Sequence, residues 1–231
     1  MKNFRDFGYL NVKKGVLFRS EALTDISDKD IKLLKEKNIK FVIDLRMIEE
    51  VNEKKDKEIS GIKNISIPLV DKESMGEVYK KAASENREPR MEEFYGVFVS
   101  LGRKEAWSKI FDALLEADGG VLFHCTQGKD RTGVVCAMIL SLFGVDKDTI
   151  YSDYLKTNKN IGMPFEYRLK SLFMDKASKK HLRSFFFVEG EYLDAMFKYI
   201  DQTYGSIDKF YSDCANLDEE KINKLKGKYI E

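Results

Sequence analysis

The stretch GGVLFHCTQGKDRTGVVCAMILSLFG, residues 119–144, constrains the fold of this 231-residue chain more than any other. Its first apolar run follows a Gly-Gly break and predicts a buried strand. Its second apolar run is longer and predicts a helix that begins near Thr132 and ends at Gly144. A strand, a loop and a helix in this order are typical of proteins in which parallel strands alternate with helices.

The same alternation is present upstream of this stretch. Strands are predicted at GVLFRS (15–20), KFVIDLR (40–46) and NISIPLV (64–70), with a capped helix at SDKDIKLLKEKNI (27–39). The charged run EEVNEKKDKEISG (49–61) is expected to be a solvated connector and nothing more. These patterns predict an α/β fold with a central, mostly parallel sheet flanked by helices.

The chain length fits a single domain over residues 1–231. Two helical insertions, around residues 72–100 and 160–190, are candidates for a lid over a site. The aromatic run Phe185 to Phe187 lies in the second insertion and is expected to be either part of such a lid or ordinary core.

Composition argues against several classes of protein. Lys and Arg total 40 against 39 Asp and Glu, so the basic excess usual in nucleic-acid binders is missing. The cysteines, Cys125, Cys136 and Cys214, show no paired spacing, which favours a reducing compartment over a disulfide framework. Apolar runs fall short of the ~18 residues of a membrane span, and the charged N-terminus is unlike a signal peptide. We expect a soluble, cytoplasmic protein; export without a signal peptide and the oligomeric state stay open.

The loop between the strand and the helix is suited to hold an anion. Successive backbone N–H groups of such a loop can line a nest, and the helix behind it adds the positive end of its dipole. Gly128 and Gly133 remove side chains where the backbone must bend or approach an anion closely. Phosphate binding is therefore expected from Thr126, Gln127, Gly128, Lys129, Asp130 and Arg131.

Cys125 and Arg131, separated by five residues, predict phosphoryl transfer. A helix N-terminus and a nearby cation stabilise a thiolate, so Cys125 is expected to be the nucleophile. Arg131 can hold two phosphate oxygens in a bidentate fork through a transition state that carries charge on its equatorial oxygens. Thr132 can donate its hydroxyl to the sulfur when the phosphocysteine is hydrolysed. The loop thus predicts a phosphomonoesterase with a phosphocysteine intermediate.

Metals and cofactors are not expected to take part. Phe123 stands where a phosphate-binding Walker A loop has its first glycine, and Asp130 stands where that loop has Ser or Thr. A zinc site would need more ligands, yet the only other histidine is His181 and the sequence has no C-x-x-C.

The loop HCTQGKDRTG resembles the H-C-x5-R-[ST] signature of cysteine-dependent protein tyrosine phosphatases. More narrowly, it resembles the H-C-x-x-G-K-D-R loop of bacterial tyrosine and lipid phosphatases. Segments similar to that family extend over essentially the whole chain: NFRDFGYL, LFRSEAL, IKFVIDLRMIEE, DYL at 153–155 and YLDAMFKYIDQTYGSIDKFY. The resemblance implies a dual-specificity/tyrosine phosphatase-like fold, and for this narrower group it implies activity on phosphoinositides.

Two aspartates are candidates for the acid that protonates the leaving oxygen. Asp71 follows a predicted strand, as the acid does in the general tyrosine phosphatase pattern, but its position is equally typical of a helix N-cap. The narrower resemblance implicates Asp130, since a carboxylate beside a bound phosphate is electrostatically disfavoured and suits a proton donor. We rank Asp130 ahead of Asp71. Lys129 is either a second cation for a substrate with more than one phosphate or a solvated counter-charge to Asp130.

Four further residues are expected to support the loop, together with Thr132 and Gly133. His124 is expected to orient it by a hydrogen bond rather than act as a base. Asp44, Arg46 and Glu49 follow a buried strand and are expected to brace the loop with ion pairs, with substrate contact as the alternative.

Together these features predict a phosphatase that acts on phosphotyrosine, with phosphoserine, phosphothreonine, phosphoinositides and soluble inositol phosphates as further candidate substrates. Its expected partners are phosphorylated proteins or peptides, or phosphoinositides. The alternative from another class is a module of the same fold that binds phosphorylated ligands without turnover. A thiol redox or sulfur-transfer protein is a weaker rival, because it would have no use for an arginine at this spacing.

Overall fold

The computed structural model describes residues 1–163, 165–172 and 174–231. Pro164 and Phe173 belong to the second expected insertion and lie outside the described residues. In the described part of the chain, five strands form one sheet: β1 (Arg5–Asp6), β2 (Leu17–Ser20), β3 (Ile39–Asp44), β4 (Lys63–Ser66) and β5 (Gly120–His124). The sheet order is β1-β2-β5-β3-β4, and all neighbours are parallel except β1 and β2. The expected α/β class with a mostly parallel sheet is confirmed.

Helices account for most of the remaining described residues. They are α1 (Asp28–Glu36), α2 (Ile48–Glu53), α3 (Lys72–Ser84), α4 (Met91–Phe98), α5 (Lys104–Glu116), α6 (Asp130–Leu142), α7 (Lys147–Ile161), α8 (Phe165–Ser171), α9 (Lys176–Phe186), α10 (Gly190–Tyr204), α11 (Ile207–Asp213) and α12 (Glu219–Tyr229), with a 3₁₀ turn at Leu101–Arg103. Among the described residues, no helix has both the length and the apolar character needed to cross a bilayer.

Polar side chains start several of these helices. The residue before the helix accepts a hydrogen bond from the backbone N–H three positions on, and this holds for Ser27, Asp71, Asp146, Asp175, Ser206 and Asp218. Such a cap stabilises a helix by about 1 kcal/mol, because it satisfies an N–H that has no partner within the helix.

The sheet order brings three strand ends to one place. β5 lies between β2 and β3, and His124 at its end pairs in register with both Ser20 and Asp44. The carboxyl ends of these strands therefore meet at one edge of the sheet, where ligands of parallel α/β proteins bind. All of β5 is buried, and α6, which leaves the loop after it, is buried along most of its length.

Two expectations from the sequence need correction. The strand predicted over 64–70 is too long, because β4 ends at Ser66 and Pro68 beyond it cannot donate to a sheet ladder. The charged run 49–61 is not merely a solvated connector. It contains most of α2, and the Asp56 side chain within it is only 3% exposed.

Candidate active site

The loop between β5 and α6 packs against β2 and the N-terminal residues, which fix its conformation. Gly128 adopts φ +62°, and a Cβ at this position would lie 2.0 Å from the Ser20 carbonyl oxygen. Asn3 Nδ2 donates to the Gly128 carbonyl at 2.7 Å, and Arg19 Nη2 donates to the same oxygen at 2.9 Å. A loop whose carbonyl is engaged in this way can offer its N–H groups to an anion. Glycine is needed here because both the positive φ and the lack of space exclude a side chain.

A buried network of ion pairs connects the loop, through Arg19, to Asp153 on α7. Arg19 has no exposed surface and pairs with Asp153 at 2.9 Å, while Arg5 pairs with the same carboxylate at 2.8 Å. Tyr9 donates its hydroxyl to Asp153 as well. Burial alone would raise the pKa of Asp153, but the two guanidinium groups outweigh it and hold that pKa below its ordinary value. The carboxylate is thereby fixed in its charged form beneath the loop.

Arg131 is braced by Glu50, the third residue of α2. Its Nη2 atom donates to Glu50 Oε1 at 2.9 Å and to Thr126 Oγ1 at 3.3 Å, and its Nη1 atom donates to Glu50 Oε2. Thr126 donates its hydroxyl to the same carboxylate. Burial opposes ionisation of Glu50, yet the Arg131 hydrogen bond and charge lower its pKa to about 2. Arginine has five N–H donors, and this brace uses three, so donors remain for a phosphate.

Asp130, the first residue of α6, is held by buried tyrosines. Tyr95 donates its hydroxyl to Asp130 Oδ1 at 2.8 Å, and the Tyr95 and Tyr154 hydroxyls are hydrogen-bonded to each other. Burial, together with the nearby Asp130 charge, raises the pKa of both tyrosines well above the ordinary value, so both stay protonated. The Asp130 side chain is 24% exposed and thus accessible to a substrate.

Lys129 is not a solvated counter-charge. It is 2% exposed, and its ammonium donates to the Phe185 carbonyl at 2.6 Å while lying 3.5 Å from Asp130 Oδ2. Phe185 lies in the last turn of α9, where the helix dipole favours a cation. Lys129 therefore joins the loop between β5 and α6 to α9.

His124 and the end of β3 form a buried charged cluster behind the loop. Arg46 Nη2 lies 2.7 Å from Asp44 Oδ2 and 3.0 Å from Asp56 Oδ1. His124 Nε2 lies 2.9 Å from Asp56 Oδ2, and its Nδ1 lies 3.3 Å from the Cys125 carbonyl oxygen. Burial would raise the pKa of Asp56, but His124 and Arg46 lower it. These contacts are those of an ion-pair brace.

The same cluster brings the ligand atoms of Asp44, Asp56 and His124 within 4.8 Å of one another, close enough to hold a metal ion. The Arg46 guanidinium contacts both of these carboxylates and supplies the positive charge there. This donor set is therefore satisfied by a side chain of the protein.

Two residues at the start of α6 complete the loop. Thr132 is fully buried, and its Oγ1 has no hydrogen-bond partner among the described residues, which leaves the hydroxyl available to the Cys125 sulfur. Gly133 serves helix packing rather than anion approach, because a Cβ there would lie 2.8 Å from Tyr154 Cε2. Cys125 itself is 3% exposed and lies at the base of the loop.

Asp71 has a different environment. It caps α3 by accepting from Ser74 N at 2.8 Å, and it pairs with Arg103 Nη1 at 2.6 Å. The Ser74 backbone hydrogen bond, helped by Arg103, lowers the pKa of Asp71 to about 2. This carboxylate is held ionised at a helix end, and its side chain is 52% exposed.

A cavity of about 180 Å³ opens beside Asp130 and Arg131. Its walls are mostly sulfur-containing, aromatic or aliphatic side chains: Met47, Val70, Met75, Tyr79, Met91, Phe94, Phe98 and Phe185. Asp130 and Arg131 thus border a largely apolar space.

A family model described as the tyrosine phosphatase family matches residues 1–231. The chain belongs to the tyrosine phosphatase family. It is 28% identical over 264 residues to the triple specificity protein phosphatase PtpB of Mycobacterium tuberculosis, with 97% of this chain and 95% of that protein covered. It is 26% identical over 242 residues to a Cupriavidus necator protein whose name assigns it provisionally to the tyrosine-protein phosphatases, with 100% and 86% covered.

Among solved structures, the core catalytic domain of the PP-IP phosphatase SIW14 from S. cerevisiae matches with a TM-score of 0.40 and 15% identity. The match covers 78% of this chain and 90% of that one.

The phosphatase site contains residues that the sequence patterns did not single out. Glu50 braces Arg131, whereas the expected Glu49 is an exposed neighbour on α2. Asp56 pairs with His124, and Tyr95 holds Asp130. The signal for Glu50 was its place beside Glu49, shortly after a buried strand that ends at the site. Asp56 lies beyond α2 and had no such signal. For Tyr95 the sequence offered no signal beyond helical periodicity.

Proposed function

We propose that this phosphatase hydrolyses phosphomonoesters of phenols, phosphotyrosine above all, through a phosphocysteine on Cys125. The observation that carries the proposal is the meeting of the Cys125 loop, Arg131 and Asp130 at the mouth of one apolar cavity of phenyl-ring size. The sequence signature and family membership support the same chemistry.

In the first step the Cys125 thiolate attacks phosphorus, and the bond from phosphorus to the substrate oxygen breaks. Arg131 and the loop N–H groups hold the charge of the equatorial oxygens, with Glu50 keeping the guanidinium in place. Asp130 gives its proton to the departing oxygen. The Tyr95 hydroxyl keeps the Asp130 carboxyl aimed at that oxygen.

In the second step a water attacks the phosphocysteine. The Asp130 carboxylate takes one proton of the water, the bond between sulfur and phosphorus breaks, and inorganic phosphate leaves. The Thr132 hydroxyl donates to the sulfur as it becomes a thiolate again. No metal or cofactor enters either step.

Asp130 is preferred to Asp71 as the acid because of where the two side chains lie. Asp130 lines the cavity and accepts from the neutral Tyr95 hydroxyl, with the Lys129 ammonium 3.5 Å away. Asp71 is bound to Arg103 and to a helix N–H, and both partners stabilise its ionised form. The neighbouring Val70 lines the cavity instead.

The largely apolar cavity favours an aryl phosphate, but alkyl phosphates of serine, threonine and inositol lipids are also proposed as substrates. Lys129 would contact a second phosphate of such a lipid if it exchanged its contact with the Phe185 carbonyl. We propose that α8 and α9 act as a lid, because Phe185 lines the cavity and its carbonyl binds the loop lysine. The cytoplasmic location stays a prediction from the sequence.

Replacing Cys125 by serine tests the mechanism. Phosphate release from a phosphotyrosine peptide should fall below detection, while calorimetry should show peptide affinity within about tenfold of wild type, because the loop N–H groups and Arg131 remain. Cys214→Ser, which removes another buried thiol, is the matched control and should retain turnover. Retained turnover in Cys125→Ser would refute the phosphocysteine. Tight binding without turnover in the wild type would favour a binding module.

A further inference from the structure

Positive charge is concentrated in one part of the chain. Residues 155–186 contain eight of the 40 Lys and Arg residues and two of the 39 Asp and Glu residues. This segment therefore carries a net charge of +6, and the rest of the chain carries −5. It covers the second half of α7, all of α8 and all of α9. A chain that is nearly neutral as a whole thus has one strongly basic segment.

The basic segment also exposes large apolar side chains. Leu155 is 41% exposed, Met163 62%, Leu169 52% and Leu172 68%. Lys159 and Lys170 stand between them in the sequence, Lys179 follows them, and all three lysines are exposed as well. Exposing leucine and methionine side chains to water costs free energy. Several such side chains in one lysine-rich segment therefore indicate a surface that binds a partner.

We infer that the described residues of this segment, 155–163, 165–172 and 174–186, form a docking surface for an anionic lipid bilayer. Helices that present lysines and arginines together with leucine and methionine bind at the headgroup level, where the apolar side chains enter the acyl boundary and the cations meet anionic lipids. A nucleic acid would pair with the lysines but would leave the leucines uncovered. The bilayer satisfies both kinds of exposed side chain.

The position of the surface fits this partner. α9 ends beside the active site, since Phe185 in its last turn lines the cavity next to Asp130. α8 packs on α9. Docking through these helices would therefore place the cavity mouth close to the membrane surface.

The experiment is co-sedimentation of the full chain with vesicles. One set contains phosphatidylcholine alone, and the other contains phosphatidylcholine with about 30% phosphatidylserine. We expect binding to the anionic vesicles only, weakening steeply as salt is raised. Binding is measured without turnover, so the result is independent of the proposed catalytic mechanism.

Two double variants separate the charge from the apolar contribution. Lys170→Glu with Lys179→Glu should weaken binding about 25-fold or more, because each lysine near an anionic surface is worth roughly fivefold. Leu169→Ser with Leu172→Ser should weaken it roughly tenfold or more.

Matched controls carry the same changes elsewhere. Lys29→Glu with Lys35→Glu alters two exposed lysines of α1, and Leu10→Ser with Leu101→Ser alters leucines that are 66% and 56% exposed. Both controls should bind as wild type does. Circular dichroism and the thermal unfolding midpoint of each variant report that the fold is intact.

Several results would overturn the inference. Failure of wild type to bind anionic vesicles would do so, as would controls that lose as much affinity as the test variants. If the lysine variant loses binding and the leucine variant does not, the surface recognises a polyanion and not a bilayer.

Discussion

Asp130 and Asp71 occupy similar places along the chain but lie in different chemical environments. Each lies shortly after a parallel strand and at the start of a helix. Asp130 lines a cavity, accepts from a neutral tyrosine hydroxyl and lies 3.5 Å from the Lys129 ammonium, whereas Asp71 is held by an arginine and a helix N–H at a largely exposed position. The comparison shows that two carboxyl groups at similar places along the chain can lie in different surroundings, one at a cavity wall and one at a helix cap, which strand-and-loop patterns do not reveal.

The sharpest test of this comparison is Asp130→Asn against Asp71→Asn. On an alkyl phosphate, Asp130→Asn should lower kcat by about 10²–10⁴, the usual contribution of a general acid. The loss should be smaller on para-nitrophenyl phosphate, whose leaving group needs less protonation. Asp71→Asn should change both rates less than about tenfold. Steady-state kinetics on the two substrates check this, and the reverse ranking of the two variants would assign the acid to Asp71.

A third carboxylate, Glu50, is expected to affect the reaction indirectly, by holding the Arg131 guanidinium in position. Glu50→Ala should lower kcat/KM roughly 10- to 100-fold, because Arg131 loses the partner that orients it for phosphate. Inhibition by vanadate or phosphate should weaken in parallel. Glu49→Ala, one residue away on α2 and exposed, is the control and should behave as wild type. Equal effects of the two changes would argue against the brace.

The tyrosine that holds Asp130 should have a smaller effect. Tyr95→Phe removes the hydroxyl but not the ring, and we expect about a tenfold loss on an alkyl phosphate with a shift in the pH dependence of kcat. A substrate with a very good leaving group should be almost unaffected. Tyr204→Phe, which removes another buried hydroxyl bonded to the Val99 carbonyl, should leave the pH profile unchanged. A Tyr95→Phe profile that overlays the wild-type profile would contradict the positioning role.

The smallest effect is expected for Asp71 as a cap. Asp71→Ala should lower the free energy of unfolding by about 1 kcal/mol at neutral pH. Since the folded pKa is about 2, below its ordinary value of 3.8, this stability is present above pH ~4 and is lost as pH falls toward 2. Denaturant unfolding of wild type and variant from pH 7 to pH 2 measures the difference. A gap that widens on acidification would contradict this sign.

Much of the fold followed from local sequence. The buried strand β5, the loop after it and the apolar helix α6 are encoded within 25 residues, so periodicity and glycine placement predict them well. The positions of Cys125 and Arg131 come from the same short stretch.

The partners of the site could not be predicted in the same way. Glu50 meets Arg131 across 81 residues of sequence, and Tyr95 meets Asp130 across 35. These contacts depend on how α2 and α4 pack around the sheet edge, and charge runs or helical periodicity carry no information about such distances. Lys129 was expected either to be solvated or to serve the substrate, and its bond to the end of α9 depends likewise on tertiary packing.

The close approach of Gly128 to the Ser20 carbonyl makes the substitutions tolerated in the loop depend on the position of strand β2. Any side chain at position 128 would require the Ser20 carbonyl to move away by about 1 Å or more. Such a shift would disrupt the pairing of β2 with β5. A sheet residue and a loop residue therefore cannot vary independently. For protein engineering, the sheet limits which amino acids are tolerated at position 128 as much as any bound phosphate does. Libraries that diversify the loop should therefore leave this position fixed.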